Sequence, residues 1–238
     1  MRDVPNELAG SEDFEFQALD RAVNYRAALL REFAPWLKGD VLEIGAGVGQ
    51  FTGALKALPE VRRVVCLEPE LKFVEPLRKK YPGTTVIEGT IEDLEEQIEW
   101  DGMVSINVLE HIRDDAGELA RYAVRLSKRR GRLCLFVPAR PELHAPIDRN
   151  FGHYRRYERG EFARKLERAG FEVERLHYYN VLGYFGWWLN FVVLKREHFD
   201  IGSVTMFDRF LFPVGNAIER HVLRPPFGQS LLAVARAK

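Results

Sequence analysis

Short runs of β-branched and apolar residues alternate with amphipathic stretches through the first two thirds of the chain. That alternation predicts a parallel sheet with helices on both faces. The apolar runs place strands at residues 40–44, 63–68, 84–88, 102–107 and 131–138, and helical patterns fall between them at about 48–58, 70–81 and 114–130. The last pattern ends in Lys128, Arg129 and Arg130 just before Gly131. Cations in a final turn suit the helix dipole, so this basic run reads as a solvated helix end rather than a nucleic-acid patch. Ahead of the first strand, residues 12–37 read as helix, with Pro35 marking its end.

Beyond the fifth strand the pattern changes. A polar loop over 139–157 leads into a helix at 158–169 that stops at Gly170, and a strand follows at 171–178. An aromatic insert then runs over 180–228, and an apolar segment at 230–235 supplies a last strand. The chain thus reads as one domain over 1–238, with an amino-terminal helical segment (11–37), a core (38–178), the insert and a closing strand (229–238). The longest apolar stretch, 181–194, contains Asn190 and falls short of the roughly 20 residues that a membrane-spanning helix needs.

Composition narrows the function. With 238 residues, 46% apolar and 29% charged, the chain has the size and make-up of one globular enzyme domain. Its 35 basic residues match 35 acidic ones, so there is no overall field to collect nucleic acid. Cys66 and Cys134 each sit inside an apolar run and read as small buried hydrophobes, giving neither a disulfide framework nor a metal site. The opening MRDVPNELAGSEDFEF is acidic and polar where a signal peptide is basic and then apolar, so the expected compartment is the cytoplasm.

The segment VLEIGAGVGQFT (41–52) carries the most information. It is an apolar strand ending in three glycines at alternate positions, Gly45, Gly47 and Gly49, which open a helix. Glycine permits positive φ and leaves no Cβ in the way, as a tight strand-to-helix turn beside a ligand requires. The spacing is Gly-x-Gly-x-Gly preceded by Glu43, and it fits the dinucleotide fingerprint Gly-x-Gly-x-x-Gly less well. Glu68 ends the second strand about 20 residues further on, where a carboxylate receives ribose hydroxyls; the plainer alternative is an ordinary strand-end acid.

With these residues the sequence resembles the class I S-adenosylmethionine-dependent methyltransferases over about 25–170, close to their small-molecule, ubiquinone-biosynthesis-like group. VLEIGAGVGQFT is similar to the first motif of that family, CLEPE to its ribose motif, VIEGTIEDL to its adenine segment, DGMVSINVLEHIRDD to the end of its fourth strand, and GRLCLFVPA to its fifth-strand motif. The resemblance implies a Rossmann-like, doubly wound α/β fold with a mainly parallel seven-stranded sheet, an amino-terminal helix and a carboxyl-terminal helical cap insert. It also implies S-adenosylmethionine as cofactor. Carried over by position, Glu43, Gly45 and Gly47 surround the methionine moiety and Glu68 lies at the ribose, with Ala46, Gly49 and Pro69 as further cofactor contacts. Thr90 and Ile91 border the adenine, and Asn107 and Val108 approach the methionyl chain from the other side. The sequence departs from many relatives in placing Thr90, not Asp, after Gly89, with Glu92 and Asp93 slightly later. Tyr25 resembles a position that closes over the cofactor's carboxylate end, with simple helix packing as its alternative.

Ligands of open α/β sheets sit beyond the carboxyl ends of the strands. That rule sets Leu109-Glu110-His111 opposite the loop PARPELHAPIDRNFGHYRRY (138–157). His153 and His111 are the candidate general bases. His144, Asp148, Tyr154 and Arg155 are candidates to bind the acceptor, and Arg155 would suit an anionic group. Capping of the next helix is the alternative for this loop, and is the reading preferred for Arg156 and Tyr157. Trp187 and Phe191 of the insert are expected to form a lid over an apolar or amphipathic acceptor; a structural cap, a homodimer contact or a membrane-facing element are the alternatives. The function expected is methyl transfer to a small molecule at oxygen, carboxylate or hydroxyl. A nicotinamide-dependent oxidoreductase and a non-catalytic cofactor-binding regulator are the competing readings.

Overall fold

The structure of the protein is a computed structural model that describes residues 19–95, 98–196, 200–221 and 225–238. Seven strands form one sheet in the order β3-β2-β1-β4-β5-β7-β6. They are β1 (Gly39–Ile44), β2 (Val61–Glu68), β3 (Thr85–Glu88), β4 (Gly102–Ile106), β5 (Arg132–Pro138), β6 (Phe171–Tyr179) and β7 (Ser230–Ala237). The first five run parallel, and β7 enters between β5 and β6 antiparallel to both. The winding reverses between β1 and β4, which opens a crevice at the carboxyl ends of those two strands.

The central strands are largely apolar because both of their faces are covered, with Glu43 and Glu68 as exceptions toward the carboxyl ends of β1 and β2. On one face Leu42, Met103, Leu133 and Leu135 pack with Tyr122 and Leu126 of α4 (Asp115–Ser127) and Phe162 and Leu166 of α6 (Arg159–Arg168). On the other, Val41, Val104 and Phe136 meet Leu29 and Phe33 of α1 (Val23–Phe33), Leu55 of α2 (Thr52–Lys56) and Leu77 of α3 (Leu71–Lys80). Neighbours such as Val41 and Leu42 therefore serve opposite layers, as the two-residue period of a strand dictates.

Three elements differ from the sequence expectation. The helix over 48–58 shrinks to Thr52–Lys56, because the glycine turn extends further into it. Within the expected helix 12–37, residues 12–18 lie outside the described residues. The remainder breaks at Ala22, resumes as α1 and closes in a 3₁₀ turn, Ala34–Trp36. The expected loop 139–157 instead contains a 3₁₀ turn (Pro141–Leu143) and a short helix α5 (Pro146–Asn150), each with a proline in its first turn.

The insert is helical, as expected. It comprises α7 (Val181–Trp187), continued by a π-helical stretch (Trp188–Val193), then α8 (Ile201–Met206), another π-helical stretch (Phe207–Leu211) and α9 (Phe212–His221). The Glu219 carboxylate closes it on itself by accepting the N–H groups of Asn180 and Val181 at 2.9 and 2.7 Å. Asp208 ties it to α1 by accepting those of Asn24 and Tyr25 at 2.9 and 2.8 Å.

Candidate active site

The glycine turn leaves β1 with Gly45, Gly47 and Gly49 all at positive φ. A side chain at Gly45 would put its Cβ 2.4 Å from Val108 Cγ2, so the turn after β1 packs directly against the Val108 side chain that follows β4. The Gly47 N–H donates to Glu68 Oε2 at 2.7 Å, and the Glu70 N–H donates to Glu68 Oε1 at 2.9 Å. Two backbone donors thus fix the Glu68 carboxylate at the end of β2, while burial raises its pKa. Behind the turn, Thr52 Oγ1 donates to Glu43 Oε2 at 2.6 Å, and the Cys66 thiol donates to the same oxygen at 3.5 Å. Burial outweighs these bonds and pushes Glu43 up to about 7.

Several of these groups line a cavity of about 410 Å³ at the crevice. Glu43, Gly45, Ala46, Glu68, Pro69, Thr90, Ile91, Asn107 and Val108 all stand on its wall, where the sequence reading expected cofactor contacts. Gly47 and Gly49 shape the turn without lining it. Thr90 is held by Asp93, whose Oδ2 accepts both its N–H (2.7 Å) and its hydroxyl (3.0 Å). The carboxylate nearest the expected adenine segment is therefore occupied in shaping the turn. Phe51, Phe73, Ile112 and Glu118 also line the wall. Sequence reasoning missed them, since only tertiary packing sets which side chains of the glycine turn, of α3, of the segment after β4 and of α4 face the crevice.

A second cavity, of about 400 Å³, adjoins the first, and Leu19, Asn107 and Phe151 belong to both walls. Asn107 sits there in the left-handed region, at φ 52°, a strained conformation of the kind that accompanies functional sites. Tyr25 lines this second cavity rather than the first, packed edge-on against Phe136, Tyr179 and Phe212. Trp187 and Phe191 line it from the insert.

His153 also lines the second cavity and His111 the first, and their rings meet edge to face with centroids 4.7 Å apart. His153 Nδ1 lies 3.1 Å from Asp148 Oδ1, and Arg156 sets Nε and Nη2 each 2.8 Å from that oxygen. Burial raises the Asp148 pKa, but the bond to His153 and the Arg156 charge win and hold it below the usual carboxylate range. Burial, with His153 adjacent, pushes His111 down to about 4, so its imidazole is neutral at pH 7. Ligand atoms of Glu110, His111 and His153 lie within 4.8 Å of one another, a donor set of the kind that holds a divalent ion.

The expected meeting of Leu109-Glu110-His111 with the loop after β5 is present, since the Tyr154 N–H donates to the Glu110 carbonyl at 2.9 Å. The side chains divide differently from the sequence reading. Tyr154 faces outward, half exposed, and Arg155 turns away to pair with Asp115 at 2.7 Å. Asp148 is fully buried behind His153, and His144 lines neither cavity. Arg156 takes the cavity position instead, with its guanidinium 4.4 Å from the Trp187 ring. The buried Asp115 carboxylate captures Arg155, and that tertiary partner decides which arginine faces in.

Residues 16–176 match the sequence profile of the family described as "Methyltransferase domain". A Mycolicibacterium smegmatis protein named as an S-adenosylmethionine-dependent methyltransferase is 31% identical over 140 residues, covering 57% of this chain and 52% of that protein. The chain thus spans about half the length of this relative. Among solved structures, a Haloferax volcanii complex of a methyltransferase with the Trm112 methyltransferase activator is similar at TM-score 0.63, with 19% identity and 99% of each chain covered. Mitomycin 7-O-methyltransferase is similar at TM-score 0.57, with 17% identity, over 90% of this chain and 54% of that one. The Gly45–Gly49 turn, the Glu68 carboxylate and the crevice between β1 and β4 lie within the matched region, and the chain belongs to the methyltransferase-domain family, with the fold of the class I S-adenosylmethionine-dependent enzymes.

Proposed function

We propose that this protein transfers a methyl group from S-adenosylmethionine to a hydroxyl oxygen of a small molecule that is otherwise largely apolar. The observation that carries this reading is His153 on the wall of the second cavity, against the His111 ring of the first, with the Asp148 carboxylate buried behind it at its Nδ1. Bound S-adenosylmethionine supplies a methyl carbon already activated by the sulfonium charge. The first cavity suits it: the side-chain-free turn at Gly45 admits close backbone approach, and Glu68 is fixed to receive ribose hydroxyls.

The second cavity holds the acceptor against Trp187 and Phe191, with its hydroxyl turned toward His153. There His153 Nε2 takes the hydroxyl proton, and Asp148 stabilises the imidazolium through Nδ1. Positioning of the oxygen contributes the remainder. A carboxylate acceptor would need no base and would favour a cation free to pair with it; Arg156 is paired with Asp148, Arg155 with Asp115, and Arg196, which also lines the second cavity, donates to Asn190 Oδ1 at 2.9 Å.

Methyl-labelled cofactor offered with a panel of apolar hydroxyl, carboxyl and amine compounds tests the proposal. Label is expected in hydroxyl compounds, with S-adenosylhomocysteine formed in equal amount. Turnover should fall by about 10² to 10⁴ in His153→Ala with cofactor affinity retained. Label confined to amines or carboxylates, or cofactor binding without turnover on any acceptor, would overturn it.

A further inference from the structure

We propose that the helical insert docks the protein peripherally onto an anionic lipid bilayer. The inference rests on the preceding reading only for what the second cavity receives.

Eleven of the fifteen large apolar side chains that stand exposed among the described residues lie in the insert, between Leu182 and Ile218. They are spaced as helix faces. Leu182, Phe185, Leu189 and Val193 recur every three or four residues along α7 and its continuation, while Gly183, Trp187 and Phe191 face inward. Met206, Phe210, Val214 and Ile218 recur every fourth residue along α8 and α9, at 60, 60, 61 and 50% exposure, while Asp208, Phe212 and Asn216 are buried. A helix on an ordinary protein surface presents polar residues outward, and here both helices present apolar stripes. The stripes are neighbours: a Cβ on Gly215 of α9 would lie 2.6 Å from the Leu182 side chain of α7.

Charge selects the occupant. The insert's described acids are engaged in its own architecture: Asp208 holds α1, Glu219 caps α7, and Asp200 accepts the Ser203 N–H at 2.8 Å. Of its described cations, Arg220 pairs with Glu32 at 3.2 Å and Arg196 donates to Asn190 Oδ1 on the wall of the second cavity. Lys195 stands exposed beyond the first stripe, and the Arg209 guanidinium lies 5.3 Å from the Phe210 ring beside the second. An apolar face with Trp188 and adjacent cations matches the boundary between headgroups and acyl chains of an anionic membrane.

Continuity points the same way, because Met206 and Leu211 belong both to the exposed set and to the wall of the second cavity. The exposed apolar face and the cavity that holds His153 thus share Met206 and Leu211 as a common edge. No helix among the described residues is long and apolar enough to cross a membrane, so the contact proposed lies at the surface.

Co-sedimentation of the full chain with vesicles of phosphatidylcholine, with and without phosphatidylglycerol, tests the inference. Binding is expected to the anionic vesicles. It should weaken by about tenfold or more in Phe210→Asp/Val214→Asp, and by a smaller factor, lessened by salt, in Lys195→Glu/Arg209→Glu. Both pairs are exposed, and an unchanged thermal midpoint confirms that each variant folds. No binding to anionic vesicles, or equal binding by wild type and Phe210→Asp/Val214→Asp, would overturn it. So would a concentration-dependent dimer without vesicle binding, abolished by the same substitutions, which would make a second copy the occupant. Lipid binding is read without turnover, so its failure is separate from failure of the acceptor assignment.

Discussion

Asp148 Oδ1 receives His153 Nδ1 at 3.1 Å and two guanidinium nitrogens of Arg156 at 2.8 Å, so one buried oxygen orients the candidate base and neutralises the one arginine of that loop segment that faces the second cavity. Removing that charge leaves Arg156 buried without its counter-ion. Asp148→Asn should therefore cost about 3 to 5 kcal/mol of stability. The double variant Asp148→Asn/Arg156→Met should recover much of this, because neither uncompensated charge remains. Urea unfolding of the two variants checks the order; a double variant as unstable as the single would show that the pair is not the cause.

The Gly45 turn makes a separate prediction. Gly45→Ala adds a Cβ at a φ of +65° and 2.4 Å from Val108 Cγ2, so both backbone strain and a clash oppose it. Strain alone is worth about 1 to 3 kcal/mol, and S-adenosylmethionine affinity measured by calorimetry should fall at least tenfold. Adding Val108→Ala removes the clash and leaves the strain, so affinity should return only in part. Glu68→Ala should cost about 1.5 to 3 kcal/mol of cofactor binding through lost hydrogen bonds from the ribose. Equal affinity in all three variants would place the cofactor elsewhere.

The sheet was legible because a parallel strand buried on both faces is mostly apolar, as VLEI, VVCLE and LCLFV are apart from Glu43 and Glu68. The cofactor turn was legible for a local reason too, since three alternate glycines after a strand require positive φ whatever the rest of the chain does. The acceptor side depended on tertiary partners. Nothing near Arg155 and Arg156 in the chain says that Asp115 will claim one and Asp148 the other. Asp148 read as a loop carboxylate in contact with ligand, because the short helix that buries it behind His153 depends on packing of Leu143, Ile147 and Phe151 against Trp187. The shortened second helix has the same origin, for the turn continues as far as the cofactor crevice requires.

Glu43 links pH to stability. Its carboxyl rises from the ordinary 4.5 to about 7 on folding, mainly through burial, so the folded state prefers the proton. A raised folded pKa contributes stability that is fully present below 4.5 and is lost as pH rises through about 7. The loss across that window should be on the order of 3 kcal/mol in the cofactor-free protein. Glu43→Gln keeps the neutral form at every pH and should flatten this part of the profile. Unfolding free energies measured between pH 5 and 8 decide it, and a slope unchanged in Glu43→Gln would assign the effect to other groups.

Asp208 provides the last test, because it joins the insert to the first helix across 184 positions of sequence. Its two oxygens accept the Asn24 and Tyr25 N–H groups, and its carbonyl accepts the Asn24 side-chain amide at 3.0 Å. The carboxylate thus does for α1 what a local N-cap residue does elsewhere, satisfying donors that the helix leaves open. Asp208→Ala should cost about 1 to 2 kcal/mol of stability, the range for losing such a cap. Tyr25 and Phe207 flank this joint and line the second cavity, the one proposed for the acceptor, so loosening it should disturb acceptor binding before cofactor binding. The expected kinetic signature is a raised acceptor KM with cofactor affinity unchanged, whereas a parallel loss of both would mean that Asp208 supports the whole domain rather than the seat of the insert.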